Sequence, residues 1–343
     1  AATRAACGPE HGGTTMKRKI AVIGAGVAGL ACARELLYAG HEVVLYEKGR
    51  GPGGRASTRR TDTAAFDHGA QYFVVRDPAF AECLAGPLRT GTVGTWRPRW
   101  PADTREDAPL HVGVPGMSAL GRALAGGLDV VHSTTIVGLE RDADGWRLRD
   151  SVDSLNRHYA AVVLAIPAPQ AVPLLAKFPA LAARLAGVTL SPCWAAMAEF
   201  EEPVAVELDA DWRPDPVLPW IARDASKPRR GAQDAWVLHA STAWSVAHLD
   251  DDPAAVAAAL VAKLPERLAR VVPTPAKLPP LVAAHAHRWR YARVETPLGE
   301  DCLWDPAVAL GACGDWCIGA RVEAAFLSGR ALGLAMAAAL PPG

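Results

Sequence analysis

A glycine-rich stretch near the beginning of the chain and an acid that follows it have the residue types and spacing to bind a dinucleotide. The stretch consists of Gly24, Ala25, Gly26, Val27, Ala28 and Gly29. In such a motif Gly24 makes a tight turn, Gly26 lets a pyrophosphate approach the backbone, and Gly29 lets a helix pack closely on a strand. Glu47 lies about 20 residues further on, where its carboxylate can accept both hydroxyls of an adenosine ribose.

The flanking residues supply the elements that this motif needs. Residues 20–23 are apolar and β-branched, as in a buried parallel strand. Residues 27–38 have helical periodicity and end before Gly40, and residues 43–46 form a second apolar run. The helix would direct its free N–H groups and dipole at a phosphate. A glycine motif alone can be only a structural turn, but the complete strand, helix, strand and acid predict a dinucleotide site.

The loop after Glu47 indicates which dinucleotide is bound. A plain NAD domain would continue into a helix, but residues 49–54 contain four glycines and a proline, which oppose helix formation. The loop carries basic residues instead, and the Arg55 guanidinium can bind a pyrophosphate through two hydrogen bonds. A flexible basic surface loop is the alternative. We therefore predict FAD, with contacts from Lys48, Arg50, Gly54 and Arg55.

A second set of cofactor residues is predicted near the C-terminal end. An apolar run from residue 308 ends in Gly314 and Asp315, and a helix is expected to begin near Val322. The Asp315 carboxylate could bind the ribityl chain of a flavin. The helix N-terminus would then stabilise the negative charge that the flavin ring gains on accepting hydride. The predicted contacts in this segment are Gly314, Asp315, Arg321, Val322 and Glu323.

Composition excludes several classes of protein. The 343 residues carry a formal net charge of zero and are half hydrophobic, so no nucleic-acid or membrane partner is expected. Seven scattered cysteines without a CxxC pair favour free thiols and a cytoplasmic location. No metal site is predicted. Residues 1–15 lack periodicity and the apolar core of a signal peptide, so we expect a disordered extension. The oligomeric state is not predicted.

The middle of the chain predicts further elements. We expect a strand to begin at residues 71–73 and residues 76–111 to be irregular. One strand is predicted over 130–139 and another over 161–166, with an open loop following at Pro167. A helix is predicted over 172–185. Residues 191–293 alternate as an antiparallel sheet with helices between the strands. Asp67 is interpreted as a turn-capping residue and residues 227–230 as solvated charges. Further cofactor contacts are predicted at Gln71, Tyr72, Phe73, Ile136, Pro167 and Trp289.

The substrate face is predicted from aromatic and imidazole side chains. Trp289 and Tyr291 alternate with arginines on a predicted strand, so one face of that strand could line the substrate pocket. Tyr72 and His239 are further candidates. A satisfied core histidine is an equally good interpretation of His239.

Several of these segments together resemble the renalase family, within the FAD-dependent amine oxidase superfamily, and the resemblance is closest to the bacterial members. It covers the chain from Met16 onward and rests on Gly53-Gly54-Arg55, Asp67-x-Gly69-Ala70-Gln71-Tyr72-Phe73, Pro115-Gly116-Met117-Ser118, Ile166-Pro167-Ala168-Pro169-Gln170, Trp236-Val237-Leu238-His239-Ala240, His287-Arg288-Trp289-x-Tyr291-Ala292-Arg293 and Gly314-Asp315-Trp316-Cys317-x-x-x-Arg321-Val322-Glu323. One departure is that Gly51 stands where the superfamily has an arginine, with Arg50 shifted by one position.

The resemblance implies an α/β (α+β) fold of the p-hydroxybenzoate hydroxylase type. It has a discontinuous Rossmann-type FAD domain, here 16–75, 112–168 and 296–343, and a mixed or antiparallel-sheet substrate domain, here 76–111 and 169–295. It also implies non-covalent FAD and an activity. Hydride passes from the 2- or 6-dihydro isomers of NAD(P)H to the flavin, and O2 then reoxidises the flavin to give H2O2.

Residue chemistry agrees with that activity, because a dihydropyridine becomes aromatic on losing hydride and needs stacking and orientation rather than a base. Many amine oxidases of similar fold use a lysine near the flavin, but residues 281–293 contain none. Two alternatives stay open. One is an amine oxidase or desaturase acting on a small or apolar substrate, and the other is a non-catalytic FAD-binding protein.

Overall fold

The computed structural model of the protein describes residues 17–101, 108–152, 157–272 and 277–340. The predicted N-terminal extension, residues 1–15, lies outside this part of the chain. Within it the helices are α1 (Val27–Tyr38), α2 (Pro78–Arg89), α3 (Ser118–Ala125), α4 (Ala168–Leu174), α5 (Pro179–Leu185), α6 (Thr242–Ala247), α7 (Pro253–Ala269), α8 (Asp315–Ile318) and α9 (Val322–Ala339).

The described strands are β1 (Lys19–Ile23), β2 (Glu42–Tyr46), β3 (Arg59–Arg60), β4 (Ala65–Phe66), β5 (Val93–Trp96), β6 (Leu110–Gly113), β7 (Asp129–Val131), β8 (Ile136–Asp142), β9 (Gly145–Asp150), β10 (His158–Tyr159), β11 (Ala161–Leu164), β12 (Thr189–Phe200), β13 (Ala210–Trp212), β14 (Trp220–Arg223), β15 (Asp234–His239), β16 (Leu281–Thr296), β17 (Leu303–Asp305) and β18 (Leu310–Ala312).

A six-stranded sheet forms the centre of the predicted nucleotide-binding region. Its strand order is β17-β18-β11-β1-β2-β7, and all neighbouring pairs are parallel except β17 with β18. Apolar side chains make β1 and β11 almost inaccessible, as expected for strands covered on both faces. The parallel strands therefore bring their carboxyl ends, from distant parts of the sequence, to one edge of the sheet.

Helices α1 and α9 pack side by side on this sheet and run in the same direction. Gly329 lies against the backbone of Ala28, and Gly333 lies against that of Cys32 one turn further along both helices. A Cβ atom on Gly329 would lie 2.0 Å from the Ala28 carbonyl oxygen, so only glycine permits this approach. Helix α9 is long and apolar enough to cross a membrane, but this close packing on α1 is that of a core helix.

A second sheet is antiparallel, with strand order β13-β14-β15-β12-β16. One of its faces packs against α7, through side chains such as Trp194 and Trp236. The opposite face carries Trp220, His239, Ala195 and His287, which are register partners on four consecutive strands. Register partners point to the same face. This row of four side chains is called the sheet row below.

The predicted strand over residues 130–139 is wrong, because two strands occupy this region. Strand β7 pairs with β2 in the central sheet, whereas β8 pairs with β9 in a separate three-stranded sheet. Ser133 interrupts the run with a positive φ of 54°. The turn is fixed where Ser133 N–H donates to the Gly49 carbonyl and Thr134 N–H donates to the Glu47 carbonyl, at 3.0 Å each. Ile136 therefore begins a strand rather than lying in the middle of one.

Four other predictions are also wrong. The helix over 172–185 is two helices, because Pro179 begins α5 and excludes helical backbone at Phe178. Helix α4 already begins at Ala168, so no open loop follows Pro167. The region 76–111 contains α2, whose first turn is capped by Asp77. Around 71–73 the structure has only an isolated bridge of Phe73 with His111.

Candidate active site

The glycine turn between β1 and α1 has the geometry that the sequence predicts. Gly24 has a φ of +101° and donates its N–H to the Tyr46 carbonyl at 2.8 Å. A Cβ atom on Gly29 would lie 2.0 Å from the Gly24 oxygen, so only glycine fits there. Gly26 instead faces open space, and no side chain caps the helix that it begins. This helix N-terminus can therefore receive a phosphate group.

Glu47 follows β2 and lies beside this turn. Its carboxylate accepts the N–H of Ala25 at 2.9 Å and that of Gly49 at 2.7 Å, one on each oxygen. Each oxygen retains a lone pair for a ribose hydroxyl. The following loop folds back on the turn, where Gly53 N–H donates to the Ala25 carbonyl at 2.8 Å. A Cβ atom added to Gly54 would lie 3.3 Å from the Gly26 Cα atom, so the loop lies close to the start of α1.

The basic residues of this loop differ in their surroundings. Lys48 and Arg50 are exposed. Arg55 binds two segments that lie far from it in the sequence. Its guanidinium donates to Asp315 Oδ1 at 2.6 Å and to the Ala292 carbonyl at 3.0 Å. Asp315 follows β18, and Gly314 N–H donates to the Ser328 hydroxyl of α9 at 3.1 Å. The ion pair thus joins the Gly-Gly-Arg loop to the C-terminal predicted cofactor segment.

Helix α9 presents a second free N-terminus at the same edge as α1, because the two helices run in parallel. Arg321 is exposed at its N-cap position and makes no capping hydrogen bond with its side chain, and Val322 is half-buried. Glu323 is already bound, since one of its oxygens accepts the N–H groups of Arg76 and Asp77 at 2.6 and 2.8 Å. Glu323 therefore positions the start of α2.

Two predicted contacts lie around this edge. Pro167 is the N-cap residue of α4, three positions after the end of β11, and the carbonyl of the preceding Ile166 accepts the Trp316 indole N–H at 3.0 Å. Ile136 is buried in the apolar core that lies under β2 and β11. The glycine turn, two acids, Arg55 and two uncapped parallel helices lie at one edge of the sheet, and this arrangement fits an extended dinucleotide.

The predicted substrate residue Trp289 packs against the segment that follows β4. Its indole N–H donates to the His68 carbonyl at 2.8 Å, and its ring stacks on the His68 ring with centroids 5.1 Å apart. His287, two residues earlier on β16, lies 4.8 Å from the same imidazole ring. Tyr291 continues this strand and is half-buried. These rings therefore pack one face of β16 against the segment that follows β4.

The side chains of residues 71–73 pack against different parts of the structure. Gln71 is buried, and its amide nitrogen lies 3.5 Å from Nε2 of His239 in the sheet row. Tyr72 packs on Trp220, also in the sheet row, with ring centroids 5.8 Å apart. Phe73 packs away from the sheet row, against Phe80 of α2. Gln71 and Tyr72 therefore lie with the substrate face, whereas Phe73 is a core residue.

Sequence reasoning missed a buried ionic cluster next to Gln71. Lys227 is inaccessible and binds Asp224 Oδ1 at 2.6 Å and Asp67 Oδ2 at 3.3 Å. Arg230 pairs with the same two acids, Asp67 and Asp224. Residues 227 and 230 are therefore not solvated charges. The loop has no periodicity, and no signal in the sequence indicates this burial.

Asp67 is also not the turn cap that its position before Gly69 indicates. One oxygen accepts the N–H of Met117, at the N-cap position of α3, at 2.8 Å and the Thr58 hydroxyl at 2.7 Å. The other oxygen accepts both cations of the cluster. Asp67 thereby connects the segment of Gln71 to α3 and to the substrate sheet.

The histidines of the substrate face are held uncharged. Burial, followed by the repulsion of His287, lowers the pKa of His68 to about 4. Burial, followed by the positive charge of Lys227, lowers the pKa of His239 to about 4. The pKa of His287 is lowered by burial and by the nearby Arg59 guanidinium. The face therefore presents neutral imidazoles at physiological pH.

The sequence profiles of two known families match the chain. Residues 22–85 match the NAD(P)-binding Rossmann-like domain, and residues 94–331 match the flavin containing amine oxidoreductase family. The second match spans more than half of the chain. The chain belongs to the flavin-containing amine oxidoreductase family. FAD is accordingly the cofactor of this oxidoreductase.

Several solved structures share the fold of this chain. Cyclohexylamine oxidase from Brevibacterium oxydans IH-35A has a TM-score of 0.72 at 13% identity, and putrescine oxidase bound to putrescine has a TM-score of 0.66 at 14% identity. Each alignment covers 94% of this chain and 99% of the other. A 4,4'-diapophytoene desaturase of Staphylococcus aureus strain Newman is 46% identical over 59 residues. That match spans 17% of this chain and 12% of the desaturase.

Cys317, which follows the Gly-Asp motif, is poorly suited to bond the cofactor covalently. Cys317 lies in α8, two residues after Asp315, and is fully buried. Burial raises the pKa of its thiol, although the Ser328 hydroxyl acts in the opposite direction. A thiol with a raised pKa is a weak nucleophile.

Proposed function

We propose that this flavin enzyme oxidises 2- or 6-dihydro isomers of NAD(P)H. The substrate would lose hydride and become the aromatic pyridinium NAD(P)+. Bound FAD would supply the redox chemistry: it would accept the hydride and, with one further proton from solvent, reduce O2 to H2O2. The proposal is supported by the resemblance of the sequence motifs to the renalase family and by the chemistry of the substrate face.

One observation carries the choice of substrate: the substrate face is polar and aromatic but presents uncharged imidazoles. A dihydropyridine is neutral and planar, so it can stack on Trp289 or Tyr72 without paying the cost of burying a charge. An alkylamine is an ammonium ion at neutral pH. The neutral imidazoles offer that ion no negative partner, and the nearby acids Asp67 and Asp224 are already paired with Lys227 and Arg230.

The chain's own residues then have defined tasks. Trp289 and Tyr72 would orient the planar ring, and the neutral His239 and His287 would form the wall beside it. No proton has to be removed when the ring loses hydride, so the face needs no general base. The acids nearest the face, Asp67 and Asp224, are paired with Lys227 and Arg230 and unsuited to act as one.

An amine oxidase or desaturase is the second candidate, and the family membership favours it. Anaerobic stopped-flow would distinguish the two. The oxidised protein is mixed with 6-dihydroNAD, with NADH, and with cyclohexylamine and putrescine, and the flavin absorbance near 450 nm is followed. We expect bleaching by 6-dihydroNAD at least 100-fold faster than by the others. Bleaching by an amine alone would refute the proposal, and no bleaching by any donor would favour a non-catalytic flavoprotein.

We further propose non-covalent FAD and a cytoplasmic location. The cysteines in the described part of the chain are all free thiols. Acid precipitation should release the yellow cofactor into the supernatant, and flavin that stays with the precipitate would contradict the first of these proposals. Cell fractionation with an antibody tests the second.

A further inference from the structure

The side chain of Lys227 reaches from the ionic cluster to the substrate face. Its ammonium group is inaccessible and is held by Asp224 and Asp67. It also donates to Gln71 Oε1 at 3.4 Å. The aromatic ring of Trp96 lies 5.2 Å from it, as in a cation–π contact. The ammonium therefore has one fixed position, and Gln71 is its contact on the side of the substrate face.

Gln71 can adopt only one orientation between these groups. Its amide nitrogen donates to the backbone carbonyls of Asp67 and Gly69, whereas its oxygen faces the ammonium of Lys227. A flipped amide would place N–H groups against the ammonium and oxygen against two carbonyls. The amide nitrogen lies 3.5 Å from Nε2 of His239 and cannot accept a hydrogen bond, so Nε2 must be unprotonated, and the ring also hydrogen-bonds the His68 carbonyl.

We propose that Lys227 is a positioning residue, which holds the Gln71 amide and the His239 imidazole in a single arrangement so that an uncharged ring lines the substrate pocket. The mechanistic value of this arrangement rests on the proposed function. A dihydropyridine that loses hydride becomes a cation, so positive charge grows on the substrate in the transition state. A protonated imidazole beside it would oppose that charge.

The charges around His239 are consistent with this role. The titratable groups that face it from neighbouring elements are Lys227, the His68 ring and, beyond Ala195 in the sheet row, His287. None of these favours a proton on His239. The positive charge of Lys227 is matched within the cluster, because Asp67 and Asp224 balance Lys227 and Arg230.

The first test observes His239 directly and requires no substrate. Holoprotein labelled with 15N at histidine is titrated by NMR from pH 8 to pH 5, and H239N assigns the signal. We expect one tautomer and no protonation in the wild type. In K227M we expect mixed tautomers and a protonation midpoint at least one unit higher than in the wild type. K227R should restore the wild-type pattern, and K177M, at an exposed lysine, should not differ from the wild type.

K227M leaves two buried acids without their partner and could fail to fold. Two further variants keep the proposal testable in that case. K227M/D224N removes one acid together with the cation, and Q71M breaks the contact between Lys227 and His239 while the ion pairs stay. Both should give the mixed tautomers expected of K227M. A single unprotonated tautomer of His239 in all three variants would overturn the proposal.

The second test is the pH profile of flavin reduction by 6-dihydroNAD. In the wild type we expect a rate that is flat from pH 8 to pH 5. In K227M the rate should fall by roughly 10-fold over this range, as expected for a histidine with a pKa near 6. K227M/H239N should be flat again. A flat profile in K227M would overturn the mechanistic role, and a wild type without reduction would refute the proposed function while the NMR result still decides the positioning role.

Discussion

The substitution Gly329→Ala tests whether the contact between α1 and α9 positions the cofactor site. The new Cβ atom would lie 2.0 Å from the Ala28 carbonyl oxygen and 2.7 Å from its carbon. Ordinary contacts of a Cβ atom begin near 3.4 Å, so the helices must separate by about 1 Å or more. Overpacking of this kind costs about 1–3 kcal/mol, with loosened contacts along both helices in addition. Alanine recovers about 1 kcal/mol through helix propensity.

We expect a net loss of about 2 kcal/mol in the free energy of unfolding, because the severe overlap puts the cost of overpacking near the upper end of its range. For a chain of 343 residues that corresponds to a fall of roughly 3 °C in Tm. Differential scanning fluorimetry measures Tm, and the ratio of flavin to protein absorbance measures how much FAD is retained. The amount of retained FAD should also fall, because Val27 and Val322 begin the two helices at the site. The control is L334A, at an exposed position of the same helix. A Tm within 1 °C of the wild type and full FAD retention would refute the reasoning.

Three other predictions concern the site. Glu47→Gln removes a charged acceptor of two backbone N–H groups, so the affinity for FAD should fall about 10- to 100-fold. A fluorescence titration of the apoprotein measures this affinity, and a change below twofold would show that the carboxylate does not hold the ribose. The pKa of His68 is about 4 in the folded protein and about 6.5 in the unfolded chain, so the unfolded chain binds the proton first as the pH falls. The free energy of unfolding should therefore decrease by about 3 kcal/mol between pH 6.5 and pH 4. Urea midpoints measure this loss, and a slope in His68→Gln as steep as in the wild type would contradict it. Trp289→Phe removes the N–H that His68 accepts and should cost about 1 kcal/mol in urea unfolding, whereas Trp212→Phe, at an exposed ring, should cost nothing measurable.

Local signals account for the part of the site that the sequence predicts. The order β1, α1 and β2 follows from an apolar run, a glycine turn and helical periodicity, all within about 30 residues. The turn at Gly24 and the place of Glu47 after β2 agree with the sequence pattern because strand ends and turns are encoded by adjacent residues, while their contacts to the cofactor stay a prediction. The predicted start of the last helix, Val322, also agrees with the structure. The domain boundaries stay a prediction.

The remainder of the site depends on residues far apart in the chain. Lys227 is buried because Asp67 meets it from a segment 160 positions earlier, and no local pattern reports such a partner. Arg55 and Asp315 are separated by 260 positions, and their pairing was likewise not predicted. The break at Ser133 has a similar origin, since backbone bonds to the Glu47 loop fix the turn. Long-range partners decided the burial of Lys227 and the break at Ser133, whereas the break before Pro179 has a local cause.

The parallel pairing of α1 with α9 constrains the order in which the protein can mature. A ribosome completes α1 long before Asp315 and Gly329 emerge. Contacts of such long sequence separation also form slowly. The flavin site can therefore close only after both segments have been made. A nascent chain, or a product truncated before Asp315, would expose the apolar side of α1 and would retain no cofactor, so bound flavin reports that α1 and α9 have folded together.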